Sequence, residues 1–364
     1  SGFLLLHPMK KLLLALLVIT TLFSACNNSE GTEAENNESS TNPETESATP
    51  QRTGDLAQID SLGRVLNEDP NNQKAFLMRA NLLMKRGETR RAANDIYNAM
   101  QLDSSAAEAR LLKGQLHFLQ NRTRLSKQEW ERCIELHPKN TECRLKLAEL
   151  YTVVMEFKNA LKLLDEVISL DKNNAEAYFF KGIVVRDMKQ DTALALQYFQ
   201  RAIDLQQDYV NALDMMGVML SARHDTLAKY YFQRILEINP NRADIYFKLG
   251  VYYMQQDQPN RAMESYTKAI QLNPNDADSY FNLGFILTQV QEYEQARDYF
   301  TKAINTREKN YKAYYGRAYT YEMNGMYQEA KADYLKAIES NPAYLPAGDG
   351  LQRVNKALDE LGKS

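Results

Sequence analysis

The sequence predicts an all-α protein that stacks two-helix repeats, and three observations lead to this prediction. Small side chains recur at intervals of 33 to 35 residues, and a second series of small side chains precedes the first by about twelve residues. Large apolar side chains follow the first series four residues later, a spacing that keeps both on one helix face. Only 15 Gly and 10 Pro occur in 364 residues, too few for the many turns of an all-β chain.

Three series of residues carry this periodicity. The first small series is Ala92, Ser126, Ala160, Ala195, Ala228, Ala262, Ala296 and Ala330. The second small series is Ala80, Gly114, Ala148, Gly182, Gly217, Gly250, Gly284 and Ala318. The large series is Ile96, Trp130, Leu164, Phe199, Phe232, Tyr266, Phe300 and Tyr334. If small residues fill about one position in seven, eight matches at fixed spacing arise by chance about once in a million.

The periodic unit resembles the tetratricopeptide repeat, whose 34-residue pattern is large-x2-Leu-Gly-x2-Tyr, then Ala-x3-Phe, then Pro. One repeat reproduces the pattern with Tyr246, Leu249, Gly250, Tyr253, Ala262, Tyr266 and Pro274. The resemblance implies a right-handed α-solenoid, a superhelix of eight helix-turn-helix units with capping helices. The assigned units are 73–106, 107–140, 141–174, 175–209, 210–242, 243–276, 277–310 and 311–344.

The spacing has a physical reason when repeat positions are counted from 1 to 34. Small residues at positions 8 and 20 let the two helices of a unit cross closely, and the large residue at position 24 fills the hollow beside them. One unit cannot bury its own apolar faces, so it is stabilised by its neighbours. The second and third repeats are the weakest matches, because Arg110 and Arg144 stand where the pattern opens with an aromatic residue.

Residues 1–25 are predicted to be a bacterial lipoprotein signal peptide. Met9 is followed by two lysines and by an apolar or small run from Leu12 to Phe23. A basic start, about 7–15 apolar residues and small residues at the cleavage point are typical of a secretory signal. Residues 1–8 precede the better start at Met9 and are expected not to be translated. Ser24-Ala25-Cys26 resembles a lipobox, with Phe23 where Leu is usual, and an ordinary signal peptide with a chance Cys is the alternative.

Residues 26–54 are predicted to consist of a lipidated Cys26 followed by a disordered acidic linker. The linker holds six Glu and one Arg, and it has no large apolar side chain. Such a segment cannot bury enough apolar surface to offset its loss of conformational entropy. We therefore expect it to tether the folded part to the membrane through the acyl chains on Cys26.

A capping helix is predicted at each end of the repeats. Residues 55–72 carry Leu, Ile and Val at helical spacing up to Asp69-Pro70, and residues 345–364 carry a second amphipathic stretch. Terminal units of repeat arrays need such polar-backed helices for solubility.

The composition argues against several functions. The formal net charge of −3 argues against a nucleic-acid partner, whose phosphates require clustered cations. Four His and three Cys, far apart in the chain, do not predict a metal site. No phosphate loop, paired-His metal motif or nucleophile elbow occurs in the sequence. We therefore expect neither an enzyme nor a cofactor. Cys133 and Cys143 are interpreted as small buried side chains, with a disulfide as the alternative.

The resemblance implies that first-helix residues line a concave groove. In the last five repeats these positions are mostly aromatic or aliphatic, with polar side chains at the rim. The predicted partner-binding residues are Phe179, Ile183, Arg186, Phe247, Val251, Gln255, Phe281, Phe285, Gln289, Tyr315 and Tyr319. A long apolar stripe open to water is typical of an interaction surface. Packing against neighbouring repeats is the alternative role.

These observations predict a lipid-anchored protein–protein interaction scaffold of the bacterial cell envelope. It is expected to bind a protein or an extended peptide in the groove. The alternative is a structural spacer or self-associating envelope module without a dedicated peptide ligand. Asn27 after the lipidated Cys favours the outer membrane, because Asp at that position is the better-known signal for retention in the inner membrane. The partner, its pathway, the membrane face and the oligomeric state stay open.

Overall fold

The structure is a computed structural model that describes residues 50–189 and 191–362, and every regular element in these ranges is an α-helix. The predicted signal peptide, Cys26 and most of the predicted linker lie outside the described residues. The helices are α1 Pro50–Glu68, α2 Gln73–Lys85, α3 Thr89–Leu102, α4 Ala107–Leu119, α5 Thr123–Leu136, α6 Thr141–Val153, α7 Phe157–Leu170, α8 Ala175–Lys189, α9 Thr192–Leu205, α10 Val210–Ala222, α11 Ala228–Ile238, α12 Ala243–Gln255, α13 Pro259–Leu272, α14 Ala277–Gln289, α15 Tyr293–Thr306, α16 Tyr311–Met323, α17 Tyr327–Ser340 and α18 Leu345–Leu361.

The chain divides into two compact units, the first ending at Asp171 and the second beginning at Lys172. Within each unit the first helix of a repeat packs against its own second helix, and that second helix packs against the first helix of the next repeat. First helices of successive repeats also touch, for example α4 with α6 and α14 with α16. Each unit is therefore a stack of helix pairs, and the predicted all-α repeat solenoid is confirmed as the fold class.

Short polar signals set the helix boundaries. Five of the eight first helices begin after a residue whose side chain accepts a backbone N–H, as Asn72 does from Ala75 at 3.0 Å and Asn140 from Cys143 at 2.8 Å. In seven of the eight repeats, the residue at repeat position 15, just after the first helix, has a left-handed backbone with positive φ. Residues with this geometry are Gly87, Asn121, Met155, His224, Asp257, Gln291 and Gly325.

The core of each repeat consists of the three predicted series. Every residue at position 20 is fully buried, and every residue at position 24 is buried to 2% exposure or less. A Cβ added to Gly250 would lie 2.5 Å from a ring carbon of Tyr266, and one added to Gly217 would lie as close to Phe232. The small residues at position 8 therefore make room for the rings at position 24.

Ion pairs fill the opening position of the two weak repeats. The Arg110 guanidinium lies 3.0 Å from the Glu129 carboxylate. Arg144 is buried, lies 3.1 Å from Glu166 and donates to the backbone carbonyl of Asn140 at 3.0 Å. A charge-paired arginine thus replaces the aromatic residue of the pattern, with its aliphatic stem in the apolar hollow.

The terminal helices both pack on their neighbouring repeats. Helix α1 buries Ile59 and Leu66 and packs on α2, and it begins at Pro50, so residues 50–54 are helical although we predicted the linker to extend to 54. Helix α18 buries Val354 and places Gly350 against the ring of Tyr334. Gly350 thus covers the last position-24 ring, as Gly316 covers Phe300 one repeat earlier.

Cys133 and Cys143 form a disulfide, the alternative that the sequence left open. Their Cα atoms are 6.3 Å apart, and both side chains are fully buried. The bond joins α5 of the second repeat to α6 of the third.

Candidate functional site

The predicted partner-binding residues lie on four first helices of the second unit, α8, α12, α14 and α16, and we call this surface the first-helix face. We expected its rings to be open to water, but the structure buries them more deeply. Val251, Phe285 and Tyr315 are only 7 to 8% exposed. The half-buried members are Phe179, Ile183, Arg186, Phe247, Gln255, Phe281 and Tyr319. Gln289 is exposed. The face is therefore a partly open apolar surface.

Each ring at position 5 of the face packs on the ring at position 24 of its own repeat. The centroids of Phe179 and Phe199 are 5.7 Å apart, and the pair Phe281 and Phe300 has the same distance. Phe247 and Tyr266, and likewise Tyr315 and Tyr334, are 5.8 Å apart. All four pairs are tilted by about 50°, a favourable geometry for aromatic contacts. The position-5 rings therefore belong both to the core and to the face.

Polar side chains on or beside the face bind one another, either across successive repeats or within one helix. Lys248 on α12 lies 2.6 Å from the carboxylate of Asp214 on α10. Two turns further along the same helices, Ser221 donates to the side-chain carbonyl of Gln255 at 2.8 Å. Arg186 pairs with Asp187 at 2.6 Å. These bonds leave the charged groups of the face matched within the protein.

The end of the face carries a buried phenol network. Tyr334 donates its hydroxyl to the carboxylate of Glu322, which also accepts from the Arg353 guanidinium of α18 at 2.7 Å. The hydrogen bond with Glu322 raises the pKa of Arg353. Burial raises the pKa of Tyr315 to about 12, and it raises the pKa of Tyr319 as well. These phenols therefore stay neutral donors at physiological pH.

Sequence reasoning did not predict the ion pair of Asp214 with Lys248 or that of Glu322 with Arg353. A signal for the first pair exists, because Asp214 and Lys248 are 34 residues apart, one repeat length. The same spacing separates Ser221 from Gln255. Polar residues spaced by one repeat length can thus bridge the first helices of successive repeats.

The corresponding positions of the first unit are packed differently. Leu77, Leu111 and Leu145 at position 5 are all buried. At position 9, Glu149 is held by Lys146 at 2.9 Å. The first unit therefore offers less apolar surface at these positions.

Other chemical features of the described residues are few. No group of three or more His, Cys, Asp or Glu in the described ranges is placed to hold a metal ion. No helix in the part of the chain that the structure describes is long and apolar enough to cross a membrane. Burial lowers the pKa of His117, whose Nδ1 has no hydrogen-bond partner among the described residues. His137 Nε2 lies 2.6 Å from the backbone carbonyl of Ser105. A shallow open cavity is lined by Arg79, Leu83, Arg91, Asn94, Asp95 and Asn98.

Family models match most of the repeat region in separate parts. A model described as tetratricopeptide repeat matches residues 77–132 and 145–210. A model of the middle TPR-like domain of cilia and flagella-associated protein 70 matches residues 221–340.

Two curated proteins are similar to parts of the chain. Anaphase-promoting complex subunit 3 of Schizosaccharomyces pombe is 27% identical over 37% of this chain and 20% of its own length. The human protein O-mannosyl-transferase TMTC3 is 24% identical over 55% of this chain and 26% of its own length. The chain thus spans about a fifth to a quarter of the length of these relatives.

Solved structures share the fold. The C-terminal part of a TPR repeat-containing protein from Cytophaga hutchinsonii superposes with a TM-score of 0.55 at 18% identity, covering 66% of this chain and 99% of that one. A chain of the APC/C hetero-tetramer Cut9–Hcn1 superposes with a TM-score of 0.54 at 15% identity, covering 85% of this chain and 60% of that one. At these identities the likeness shows the fold alone.

Proposed function

We propose that this chain, a tetratricopeptide repeat protein, is a lipid-anchored scaffold of the bacterial envelope that binds a protein or extended peptide on the first-helix face. Tetratricopeptide repeats suggest a protein–protein interaction scaffold. The anchor, the envelope and the binding face are the parts that we propose here.

The observation that carries the proposed binding face is its partial burial together with its internally matched charges. Rings such as Phe247 and Phe281 are held rigidly by the core and still keep part of their surface accessible. Rigid aromatic side chains lose little conformational entropy on binding and dominate binding hot spots. Because Asp214 already binds Lys248, an apolar partner segment leaves no new unpaired charge at that point of the face.

The proposed anchor has two supports. Ser24-Ala25-Cys26 resembles a lipobox, and the buried Cys133–Cys143 disulfide fits an exported protein, since disulfides persist in oxidising compartments. We propose the outer membrane as the location, on the strength of Asn27. The test is Cys26→Ala, which should release the chain into the soluble exported fraction. A variant that stays with membranes after a carbonate wash contradicts the anchor.

Site-specific photo-crosslinking in cells tests the binding face. A photoreactive phenylalanine analogue replaces Ile183 or Gln289, which lie on the face without belonging to the ring pairs. The matched control replaces Tyr230, which is 61% exposed on the second helix α11. We expect a partner protein to be captured at residues 183 and 289 and not at 230.

The other outcomes decide between the alternatives. Capture of a second copy of this chain at residues 183 and 289 favours the self-associating module. Equal capture at all three residues, or capture only at 230, contradicts the first-helix face as the binding surface.

A further inference from the structure

One edge of the first unit carries exposed apolar side chains among cations. The turns that join the two helices of each repeat lie at this edge, and we call the segments 85–94, 119–128 and 153–162 the turn edge. Five large apolar side chains are exposed there, Leu119, Leu125, Val153, Val154 and Met155. They come from neighbouring repeats whose first helices α4 and α6 touch, so the turns that follow these helices lie side by side.

The turn edge has a strong excess of positive charge. Its cations are Lys85, Arg86, Arg90, Arg91, Arg122, Arg124, Lys127, Lys158 and Lys162. Its only carboxylates are Glu88, which pairs with Arg86 and Arg91, and Glu156, which accepts from Asn159. The most exposed apolar groups therefore lie beside Arg122, Arg124 and Lys158, all of which are exposed.

This combination is specific to one edge of one unit. The loops at the opposite edge, residues 68–77, 102–111 and 136–145, carry four Lys or Arg and five Asp or Glu. The corresponding turn segments of the second unit, 187–197, 222–230, 255–264, 289–298 and 323–332, carry six Lys or Arg and nine Asp or Glu. The positive charge is thus not a general property of the repeat.

Met155, in the apolar patch, has a backbone conformation that is unfavourable for its side chain. Its backbone is left-handed, with φ of 60°, at the position where other repeats have Gly, Asn, His, Asp or Gln. A bulky side chain is unfavourable in this conformation. Met155 is nevertheless 75% exposed, so its side chain gains little from packing within the chain. The exposed Met155 side chain is therefore available for contact with another surface.

The chain enters the first unit at this same edge. Helix α1 packs on α2 and is joined to it by the short connection 69–72, so the two helices are antiparallel. Its first residue, Pro50, therefore lies at the edge where α2 ends, at Lys85. Only 23 residues separate Pro50 from Cys26. An anchor at Cys26 would bring the turn edge to the membrane.

We infer that the turn edge of the first unit docks on a membrane surface that contains anionic lipid. Cations attract the lipid phosphates, and the exposed Leu, Val and Met side chains enter the headgroup region. The acidic linker of this chain is the competing occupant, but it has no large apolar side chain to cover Leu119 or Val153. The lipid surface matches both the charge and the apolar groups. This inference uses the proposed anchor as one support, and its test can fail independently of the proposed binding face.

Hydroxyl-radical footprinting of the full chain reconstituted in vesicles tests the inference. The vesicles contain phosphatidylcholine alone or phosphatidylcholine mixed with phosphatidylglycerol. We expect the oxidation of Met155 to slow by at least about five-fold on the anionic vesicles relative to the neutral ones. Met323, which is 42% exposed at the C-terminal end of α16 in the second unit, is the internal control and should not change. High salt should remove the protection, because it screens the attraction.

Charge reversal supplies the matched variants. Arg122→Glu with Arg124→Glu and Lys158→Glu should abolish the protection of Met155, whereas Arg223→Glu with Lys229→Glu in the second unit should leave it intact. All these side chains are exposed or half-buried, so the fold should survive, which circular dichroism checks.

Three results would overturn the inference. Equal protection on neutral vesicles would remove the role of anionic lipid. Absence of protection on both would remove the membrane. Protection of Met155 in detergent without vesicles, lost when residues 27–49 are deleted from the full chain, would assign the edge to the acidic linker. Crosslinking at residues 183 and 289 reports on the binding face separately, so the two proposals can fail independently.

Discussion

Substituting Gly250 by Ala should force apart the two helices of the sixth repeat. The new Cβ would lie 2.5 to 2.8 Å from three ring carbons of Tyr266, whereas carbon atoms normally touch at about 3.5–4.0 Å. The ring would have to move by about 1 Å. The ring is fully buried and packed against Phe247, so this shift costs packing there, although the eighth repeat shows with Ala318 and Tyr334 that a ring at position 24 can adapt to an alanine at position 8.

The expected loss of stability is the difference between two effects. Overpacking of a core typically costs about 1–3 kcal/mol, and a rigid, fully buried ring favours the upper half of that range. Replacing Gly by Ala inside a helix recovers about 1 kcal/mol of backbone propensity. Gly250→Ala should therefore destabilise the second unit by about 1–2 kcal/mol, measured by urea unfolding. Gly348→Ala is the matched control, since nothing lies within 4 Å of its added Cβ.

The third repeat suggests a rescue of this variant. It combines Ala148 with Leu164, and both are fully buried. Gly250→Ala together with Tyr266→Leu should therefore cost less than the sum of the single changes, by about 1 kcal/mol or more. Hydrogen exchange should accelerate in the sixth repeat and its neighbours before the rest of the second unit. Strict additivity of the two changes, or uniform acceleration of exchange, would refute the proposed contact between positions 8 and 24.

Three further perturbations test individual contacts. Tyr266→Phe removes a buried hydroxyl that has no partner among the described residues, so the free energy of unfolding should stay unchanged or rise by up to about 1 kcal/mol. Tyr334→Phe removes a donor to the Glu322 carboxylate and should lower the free energy of unfolding by about 1–3 kcal/mol. Equal effects of the two variants in thermal unfolding would contradict this difference in hydrogen bonding. Burial lowers the pKa of His117, so the unfolded chain binds more protons than the folded one and stability should fall as the pH drops below about 6.5. His117→Phe should reduce this loss of stability between pH 7 and pH 5 in urea titrations, and an unchanged loss would assign it to other groups. Replacing Cys133 and Cys143 by Ala should lower the stability of the first unit by about 2–3 kcal/mol in thermal unfolding, and a reductant should do the same to the unmodified protein but not to the variant.

The sequence predicted the repeat core well because one contact is made eight times. A fixed spacing of small and large residues is sufficient to place positions 8, 20 and 24 in the core. The burial of Tyr315 was not predictable in this way, because an aromatic ring at position 5 is large enough to reach both the core and the surface. The repeat period does not show how much of such a ring is buried in the core and how much stays at the surface.

Contacts made once were harder to predict. Arg144 occupies an aromatic position, and only the folded chain shows that Glu166 and a backbone carbonyl compensate its charge. The disulfide likewise depends on two helices of different repeats meeting at one point, while the sequence offers only two small residues ten positions apart. The pairing of Lys248 with Asp214 had a signal in its 34-residue spacing, but nothing in the sequence alone distinguished it from coincidence.

The disulfide affects how the first unit unfolds and refolds. In a repeat array, unfolding advances as a front from one helix pair to the next. A front that starts at the N-terminal end reaches the covalent bond between α5 and α6, where the two helices cannot diffuse apart even after their contacts are lost. Their effective local concentration stays high, so the interface can form again faster than an open end can retreat. The bond between Cys133 and Cys143 thus favours re-formation of the interface between α5 and α6. It thereby protects the third repeat from fraying that begins in the first two.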